Sequence, residues 1–465
     1  MIAPPPRLSR RDGGTLAPMS GDAPARDEIL EAPAPPLVLC PLAFEQRALL
    51  RYAKLPSIVT GAGPEAIRRA FAQRDRWPVP SPRLVILAGV AGGLRAGLPR
   101  GGAHLVSAVS GASEPPSIAT AAGRAPIAVV EATAPVHTPA EKARLRDESG
   151  ADLVDTESRA FADCARAARL PWAIVRGVAD AADDAVPPEV RALVGADGRS
   201  RPWRAAAIVL RRPTLLPELV RLARGARAAM RDAAFLADGL GALPALALCS
   251  RERPFLLYGG SFDPPHARHA TMLLEAMRAL GAPCATVMPA AINPLKRDAP
   301  PAPPEDRLAL CRAAFAVPST AAGGEIRLSR LEIDRPGPSY TIDTVERLLS
   351  RHPHLAGAIR FLVGSDAIRG IERWHRWRDL VALATPAVVV RPPDDHASTR
   401  AFLGDLAARP GVRDACGWLL GIAPVERSST EVRAAIARGE RPDGLQDRVW
   451  TEIEARGLYG FGDGG

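Results

Sequence analysis

Short, mostly apolar runs recur along this chain, separated by longer stretches in which apolar residues return every three or four positions. Runs at 37–40, 57–60, 84–88, 127–130 and 173–175 predict strands; stretches 64–72, 139–148, 158–169 and 215–236 predict helices. Strands with no polar alternation belong to a sheet covered on both faces. A glycine- and proline-bearing stretch at 238–253 then interrupts the pattern. The alternation resumes with strands at 255–258, 285–288, 326–328, 359–363 and 387–390, and helices at 270–280, 304–315, 341–351, 378–383 and 429–437. The expected fold is α/β with two domains, each a mainly parallel sheet with helices on both faces. The predicted boundaries are a disordered leader at 1–36, a first domain at 37–237, a linker at 238–253 and a second domain at 254–462. No internal repeat links the two zones.

Composition narrows the classes of function. A chain of 465 residues exceeds one ordinary core. The net charge is +9, but only Lys54, Lys142 and Lys296 are lysines, so arginine carries nearly all the basic charge. With abundant alanine, glycine and proline, this reflects base composition rather than a nucleic-acid footprint. No polybasic block with interleaved aromatics appears, so no nucleic-acid partner is expected. A basic surface still attracts phosphorylated small molecules. Six cysteines lie scattered without CxxC spacing, which argues against a zinc site or disulfide scaffold and fits a reducing cytoplasm. No apolar stretch reaches membrane-spanning length, and the leader lacks the apolar middle of a signal peptide. Oligomeric state is not legible.

The densest chemistry lies at Gly259-Gly260-Ser261-Phe262-Asp263-Pro264-Pro265-His266-Ala267-Arg268-His269. A buried strand, a glycine turn and a helix entrance bearing two imidazoles follow one another. Helix N-terminal amides and dipole favour a phosphate there, and histidines add donors whose charge changes near neutral pH. A strand end followed by a capped helix with merely exposed histidines does not account for four special residue types arriving together.

This segment resembles the HxGH signature of the nucleotidylyltransferase superfamily. Five further segments resemble the bacterial nicotinate mononucleotide adenylyltransferases, in that family's order: Asn293-Pro294-Leu295-Lys296, Ser339-Tyr340-Thr341-Ile342-Asp343-Thr344, Gly364-Ser365-Asp366, Trp374-His375-Arg376-Trp377 and Ser428-Ser429-Thr430-Glu431-Val432-Arg433. The resemblance implies a Rossmann-like nucleotidyltransferase domain that moves the adenylyl group of ATP onto nicotinate mononucleotide and releases pyrophosphate. Both reactants are anions, so positioning and charge neutralisation supply most of the catalysis. It implies that His266, His269, Lys296 and Arg433 serve catalysis. Gly259, Gly260, Ser261, Phe262, Gly364, Asp366, Ser428, Ser429 and Thr430 would hold ATP. Tyr340, Thr341 and Trp374 would hold the nicotinate; for Trp374 a core aromatic is the alternative, and for Ser429 and Thr430 simple helix capping uses the same geometry. Mg²⁺ is expected with ATP, bridging phosphates mostly through water, with no dedicated metal cage. Asp343 and Glu332 are expected to be structural, Glu332 facing Arg335.

Two departures stand out. Arg268 replaces the glycine between the histidines, and either crowds ATP or adds a phosphate contact. Leu295 stands where many members carry histidine. A non-catalytic nucleotide binder, or another nucleotidyltransferase such as a pantetheine-phosphate adenylyltransferase, are the alternatives; Trp374 and the Ser-Tyr-Thr segment favour nicotinate.

In the first zone, Asp152-Leu153-Val154-Asp155-Thr156-Glu157-Ser158 and Arg176-Gly177-Val178-Ala179-Asp180, with glycine turns at Gly61-Ala62-Gly63 and Gly89-Val90-Ala91-Gly92-Gly93, resemble the nucleoside phosphorylase and nucleosidase superfamily, most closely the hopanoid-associated phosphorylases. The resemblance implies that Glu157 holds ribose hydroxyls and Asp180 protonates a purine leaving group. Thr156 stands where methionine is usual and Ala179 where serine is. The zone is either a second catalytic domain or one kept for packing or assembly.

Overall fold

Two α/β sheets follow one another in a structure (a computed structural model) that describes residues 27–461, except 32–33, 114–115, 117, 119–125, 135, 196, 293, 295–301, 317–323, 413 and 424–428. The first strand, β1 (Glu28–Glu31), joins the second sheet. The first sheet comprises β2 (Leu37–Cys40), β3 (Ser57–Val59), β4 (Val85–Gly93), β5 (Ala103–Leu105), β6 (Ala108–Val109), β7 (Ala128–Glu131), β8 (Leu153–Asp155) and β9 (Trp172–Asp180). Its order is β3-β2-β4-β8-β7-β6, with β9 parallel to β4 and carrying β5. Around it lie α1 (Ala43–Tyr52), α2 (Pro64–Ala72), α3 (Pro139–Ser149), α4 (Ser158–Ala167), α5 (Pro202–Arg211) and α6 (Leu216–Gly241).

The second sheet adds β10 (Phe255–Gly260), β11 (Cys284–Pro289), β12 (Glu325–Leu328), β13 (Ile359–Gly364) and β14 (Thr385–Val389), in the order β1-β12-β11-β10-β13-β14. All its pairings are parallel except that of β1. Its helices are α7 (Ala267–Leu280), α8 (Pro304–Phe315), α9 (Thr341–Arg351), α10 (Ser365–Ile368), α11 (Trp377–Leu383), α12 (His396–Ala407), α13 (Ser429–Ala437) and α14 (Asp447–Arg456).

Burial on both faces explains the unbroken apolar strands. Leu37 and Leu39 enter one core with Ile67, Phe161 and Trp172. Val38 and Cys40, pointing the other way, enter a second core with Leu49 and Met230. In the second sheet Leu256 and Tyr258 pack with Met272 and Leu310, whereas Phe255 and Leu257 pack with Ile342 and Leu380. Successive side chains of a strand serve opposite faces, so both must be apolar.

Three expectations are corrected. Residues 28–31 of the expected leader form an edge strand, antiparallel to β12, because a parallel sheet offers unpaired backbone at its edge. Residues 238–253 are not a free linker. Helix α6 continues to Gly241 and a 3₁₀ turn spans Ala245–Leu248. Leu240 and Leu248 enter a core of the first sheet, and Ala245 and Leu246 one of the second. The Arg83 guanidinium also donates to the Gly241 and Leu243 carbonyls. Finally, Gly89–Gly93 is strand, not turn. β4 runs its full length beside β9, with Gly89 opposite Arg176. A methyl at Gly89 would lie 2.6 Å from Arg176 Nη1, so glycine is needed there for close approach rather than for chain reversal.

Candidate functional site

In the second sheet the parallel strands β10, β11 and β13 end at one edge, and chain order reverses beside β10. Open α/β sheets bind ligands in the crevice outside such carboxyl ends. Gly259 and Gly260 close β10, and a side chain at Gly259 would meet nothing within 4 Å, leaving open backbone. Helix α7 begins at Ala267, three residues earlier than its periodicity predicts, so His266 is its N-cap and His269 lies in its first turn.

The imidazoles of His266 and His269 lie 3.9 Å apart, centroid to centroid, tilted by 34°. His266 is 2% exposed, and its backbone N–H donates to His269 Nδ1 at 3.2 Å. A neutral His269 therefore carries its proton on Nε2, the nitrogen then suited to donate to an anion. Phe262 sits beneath His269, with centroids 5.4 Å apart, and packs on Tyr258 and Phe315. It is buried, so it seats the imidazole rather than lining the open face. Arg268 is exposed.

The last motif of the chain arrives at the same loop. Arg433 Nη1 donates to the Asp263 carbonyl at 2.6 Å, and Ser429 Oγ to the Pro264 carbonyl at 3.0 Å. Arg433 Nη2 reaches Thr430 Oγ1 at 3.4 Å. The start of α13 thus abuts the entrance of α7, which brings His266, His269, Ser429, Thr430 and Arg433 together. Tyr459 locks the loop by donating to Asp263 Oδ1 at 2.8 Å. Lys296 and Ser428 lie outside the described residues.

Arg307 and Arg391 are missed by sequence reasoning. Arg307 is 1% exposed and donates to the carbonyls of Ser261 (3.0 Å), Ala290 (2.6 Å), Ala291 (3.3 Å) and Ala302 (2.9 Å). It staples the glycine turn to the end of β11. Nothing in its local sequence separates it from the other arginines of the chain. Arg391 lies against Gly364, where a methyl would sit 2.6 Å from its Cδ and 2.3 Å from Asp366 Oδ1. Its guanidinium faces the Asp366 carboxylate at 3.6 Å.

The expected nicotinate residues gather near the same edge. Ser339 Oγ accepts from Ala291 N–H at 3.0 Å, and Ser339 N–H donates to the Ile292 carbonyl, tying the start of α9 to the end of β11. Tyr340 is the N-cap of α9, with Thr341 beginning the helix. The Tyr340 ring lies 4.5 Å from that of His375, a neighbour the motif contained but did not single out. Trp374 is half-buried, 6.0 Å from Phe361 of β13, and packs on the core. Its indole N–H is buried without a hydrogen-bond partner among the described residues, a donor that a core role leaves idle. Glu332 accepts from Thr344 Oγ1 at 2.7 Å, and burial raises its carboxyl above the usual range. Arg335 forms its ion pair with Asp343, at 3.6 Å.

The first sheet holds a second polar cluster. Arg176, fully buried, pairs with Asp155 at 2.6 Å and Glu157 at 3.3 Å. Glu157 also accepts from Gly63 N–H at 2.9 Å, so the glycine turn after β3 closes on it. Glu45 accepts from Val90 N–H and Leu42 N–H, each at 2.8 Å. Burial pushes its carboxyl up to about 8, against the pull of those donors and of Arg176. Asp155 and Glu157 already answer the arginine, which leaves Glu45 little reason to ionise. Asp180 faces the buried Lys142 amine at 2.5 Å; that amine also donates to the Ala181 and Asp184 carbonyls. Burial raises the Asp180 carboxyl while Lys142 opposes the rise. Sequence reasoning named Glu157 and Asp180 but missed Glu45, Arg176 and Lys142.

Among the described residues, no three His, Cys, Asp or Glu side chains are grouped to hold a metal ion.

Residues 257–435 match the cytidylyltransferase-like family, and residues 121–211 match the phosphorylase superfamily. An open parallel sheet with a glycine–histidine turn at its switch point is thus a cytidylyltransferase-like nucleotidyltransferase domain. A probable nicotinate-nucleotide adenylyltransferase of Cellvibrio japonicus is 35% identical over 216 residues, covering 44% of this chain and 99% of that protein. One from Prosthecochloris aestuarii is 36% identical over 185 residues, covering 40% and 86%. Through this C-terminal part the chain belongs to the nicotinate-nucleotide adenylyltransferase family. Similar solved structures include the Plasmodium falciparum nicotinic acid mononucleotide adenylyltransferase complexed with NaAD (19% identity, TM-score 0.36, 45% of this chain and 98% of that one). They also include a Helicobacter pylori 5'-methylthioadenosine/S-adenosyl homocysteine nucleosidase (12% identity, TM-score 0.32, 46% and 100%).

Proposed function

We propose that the C-terminal domain transfers the adenylyl group of ATP to nicotinate mononucleotide, giving nicotinate adenine dinucleotide and pyrophosphate. One observation carries this reading: the entrances of α7 and α13 meet at Asp263–Pro264 and bring two imidazoles, two hydroxyls and a guanidinium to one edge of the sheet. A phosphate oxygen of the mononucleotide attacks the α-phosphorus, and the bond to the β-phosphate breaks. No covalent enzyme intermediate is needed. His269 donates from Nε2, while Ser429, Thr430 and Arg433 meet the departing pyrophosphate with hydrogen bonds and charge. These groups donate hydrogen bonds to phosphate and form no carboxylate cage, which fits Mg²⁺ arriving on the triphosphate. Gly364 and Asp366 line the adenosine, and Trp374, Tyr340 and Thr341 receive the pyridine ring and its carboxylate. Six free thiols fit a cytoplasmic setting. No described helix is long and apolar enough to cross a membrane.

The test is pyrophosphate release from ATP, Mg²⁺ and nicotinate mononucleotide. Faster turnover of nicotinamide mononucleotide or phosphopantetheine would overturn the substrate assignment, and ATP binding without turnover would leave a nucleotide-binding protein.

A second activity is supported by the Glu45–Arg176–Glu157 cluster, on which the Gly63 turn and the Gly89 strand converge. We assign the N-terminal domain to purine nucleoside cleavage, with Glu157 on the ribose and Asp180 as proton donor. Adenine release from adenosine-type substrates, lost in Asp180→Asn, tests it; silence across a nucleoside panel would leave a packing or assembly role.

A further inference from the structure

Away from both sites, α5 and the first half of α6 present apolar side chains that no described element covers. Helix α5 buries none of its residues. Trp203 is 65% and Leu210 86% exposed. They are seven residues apart, and with the exposed Ala206 between them they form one stripe of the helix. A turn at Pro213–Leu215 joins α5 to α6, a 26-residue helix about 39 Å long, in whose first half Leu216 and Val220 are exposed on one flank.

The charge around these stripes says what covers them. From Arg199 to Arg231 the chain has nine arginines and one glutamate. Among the described residues, Arg212 pairs with Glu189, Arg221 with Asp184 at 3.6 Å and Arg231 with Asp232 at 3.3 Å. The others keep the surface positive, and Arg204 lies 5.0 Å over the Trp203 ring. A second copy docked through this face would set arginines against arginines. The chain's own residues 1–26 hold four arginines and two aspartates, so they too carry the wrong sign to cover it. An apolar stripe flanked by arginines, with a tryptophan at one helix end, matches the chemistry of an anionic bilayer surface. Such a helix lies in the interface and does not cross, as the lack of a spanning helix among the described residues requires.

We infer that α5 and the start of α6 dock this protein on anionic lipid, with Trp203 and Leu210 entering the headgroup boundary and the arginines meeting lipid phosphates. The test is co-sedimentation of the full chain with phosphatidylcholine vesicles, with and without phosphatidylglycerol. Binding is expected only with the anionic lipid, and is expected to weaken as salt is raised. The double variant Trp203→Ser, Leu210→Ser should bind at least about tenfold more weakly. Its thermal melting should match the parent, because both side chains lie outside the core. Arg204→Glu with Arg211→Glu should weaken binding through charge alone. Equal binding to both vesicles, no binding, or unaltered binding by the double variant would overturn the inference. So would a concentration-dependent dimer in sedimentation that the double variant abolishes.

Discussion

His266 and His269 show how one local backbone contact prepares a hydrogen-bond donor for phosphate. The N-cap amide of His266 occupies His269 Nδ1, so the proton of a neutral ring sits on Nε2. His266→Ala and His269→Ala are each expected to cost about 2–4 kcal/mol of transition-state stabilisation, comparable to the loss of an oxyanion-hole donor; kcat/KM for adenylyl transfer measures it, and a near-parental value would contradict the role. Arg307 holds the expected ATP-binding Ser261 by its carbonyl and binds four carbonyls in two loops. Arg307→Met leaves those acceptors without their donor, at about 1–3 kcal/mol for each one that water cannot reach. Its Tm should fall, and its kcat should fall through a loosened glycine turn. Glu45 makes a pH prediction. Its carboxyl holds a proton up to about 8 when folded, against the ordinary 4.5. Between those values the folded chain keeps a proton that the unfolded chain releases, so stability should decline as pH climbs through that window and level off above it. Urea midpoints should follow that course in the parent and change less in Glu45→Gln.

At the scale of elements, close approach decides more than periodicity. Helix α6 lies directly on β9. A methyl at Gly177 would come within 2.7 Å of the Ala229 carbonyl oxygen, and one at Gly225 within 2.5 Å of the Ala179 carbonyl oxygen. Gly177→Ala and Gly225→Ala should each destabilise by about 1–3 kcal/mol, measured by denaturant unfolding, with adenylyl transfer unaltered in the folded fraction. Helices α2, α8, α9 and α13 run over the residues that their apolar spacing predicts. Helices α1, α5, α10, α12 and α14 escape it. In α5 small and apolar residues follow one another without a break from Ala205 to Leu210, so no three-to-four spacing stands out. Strands β5, β6 and β8, of two or three residues each, also escape it. They exist because a longer neighbour offers hydrogen bonds.

The whole molecule carries two polar centres on two sheets, joined by a packed connection rather than a loose one. The Arg253 guanidinium donates to the Leu170 carbonyl at 2.6 Å, and that of Arg169 to the Ala279 carbonyl at 3.2 Å, so each half grips the other. The centres use different elements and share no residue. Asp180→Asn should therefore leave adenylyl transfer within about twofold of the parent, and His266→Ala should leave nucleoside cleavage likewise, because substitutions that share no partner act independently. Cross-inhibition in paired assays would point instead to coupling through the connection.

Read alone, the chain already determined its two-sheet α/β plan, the helix that starts beside His266 and His269, and the motif order that marks a nucleotidyltransferase. Those features are local: apolar runs, capping residues and glycines act through neighbours a few positions away. Tertiary structure alone decided that Arg433 meets Asp263, that Arg307 binds two loops, that Glu45 and Arg176 share a buried site with Glu157, and that residues 28–31 complete a distant sheet. Each of these joins side chains or strands far apart in sequence. An arginine's meaning depends on the acceptors that folding brings to it, and in a chain with so many arginines no spacing along the sequence could single these out.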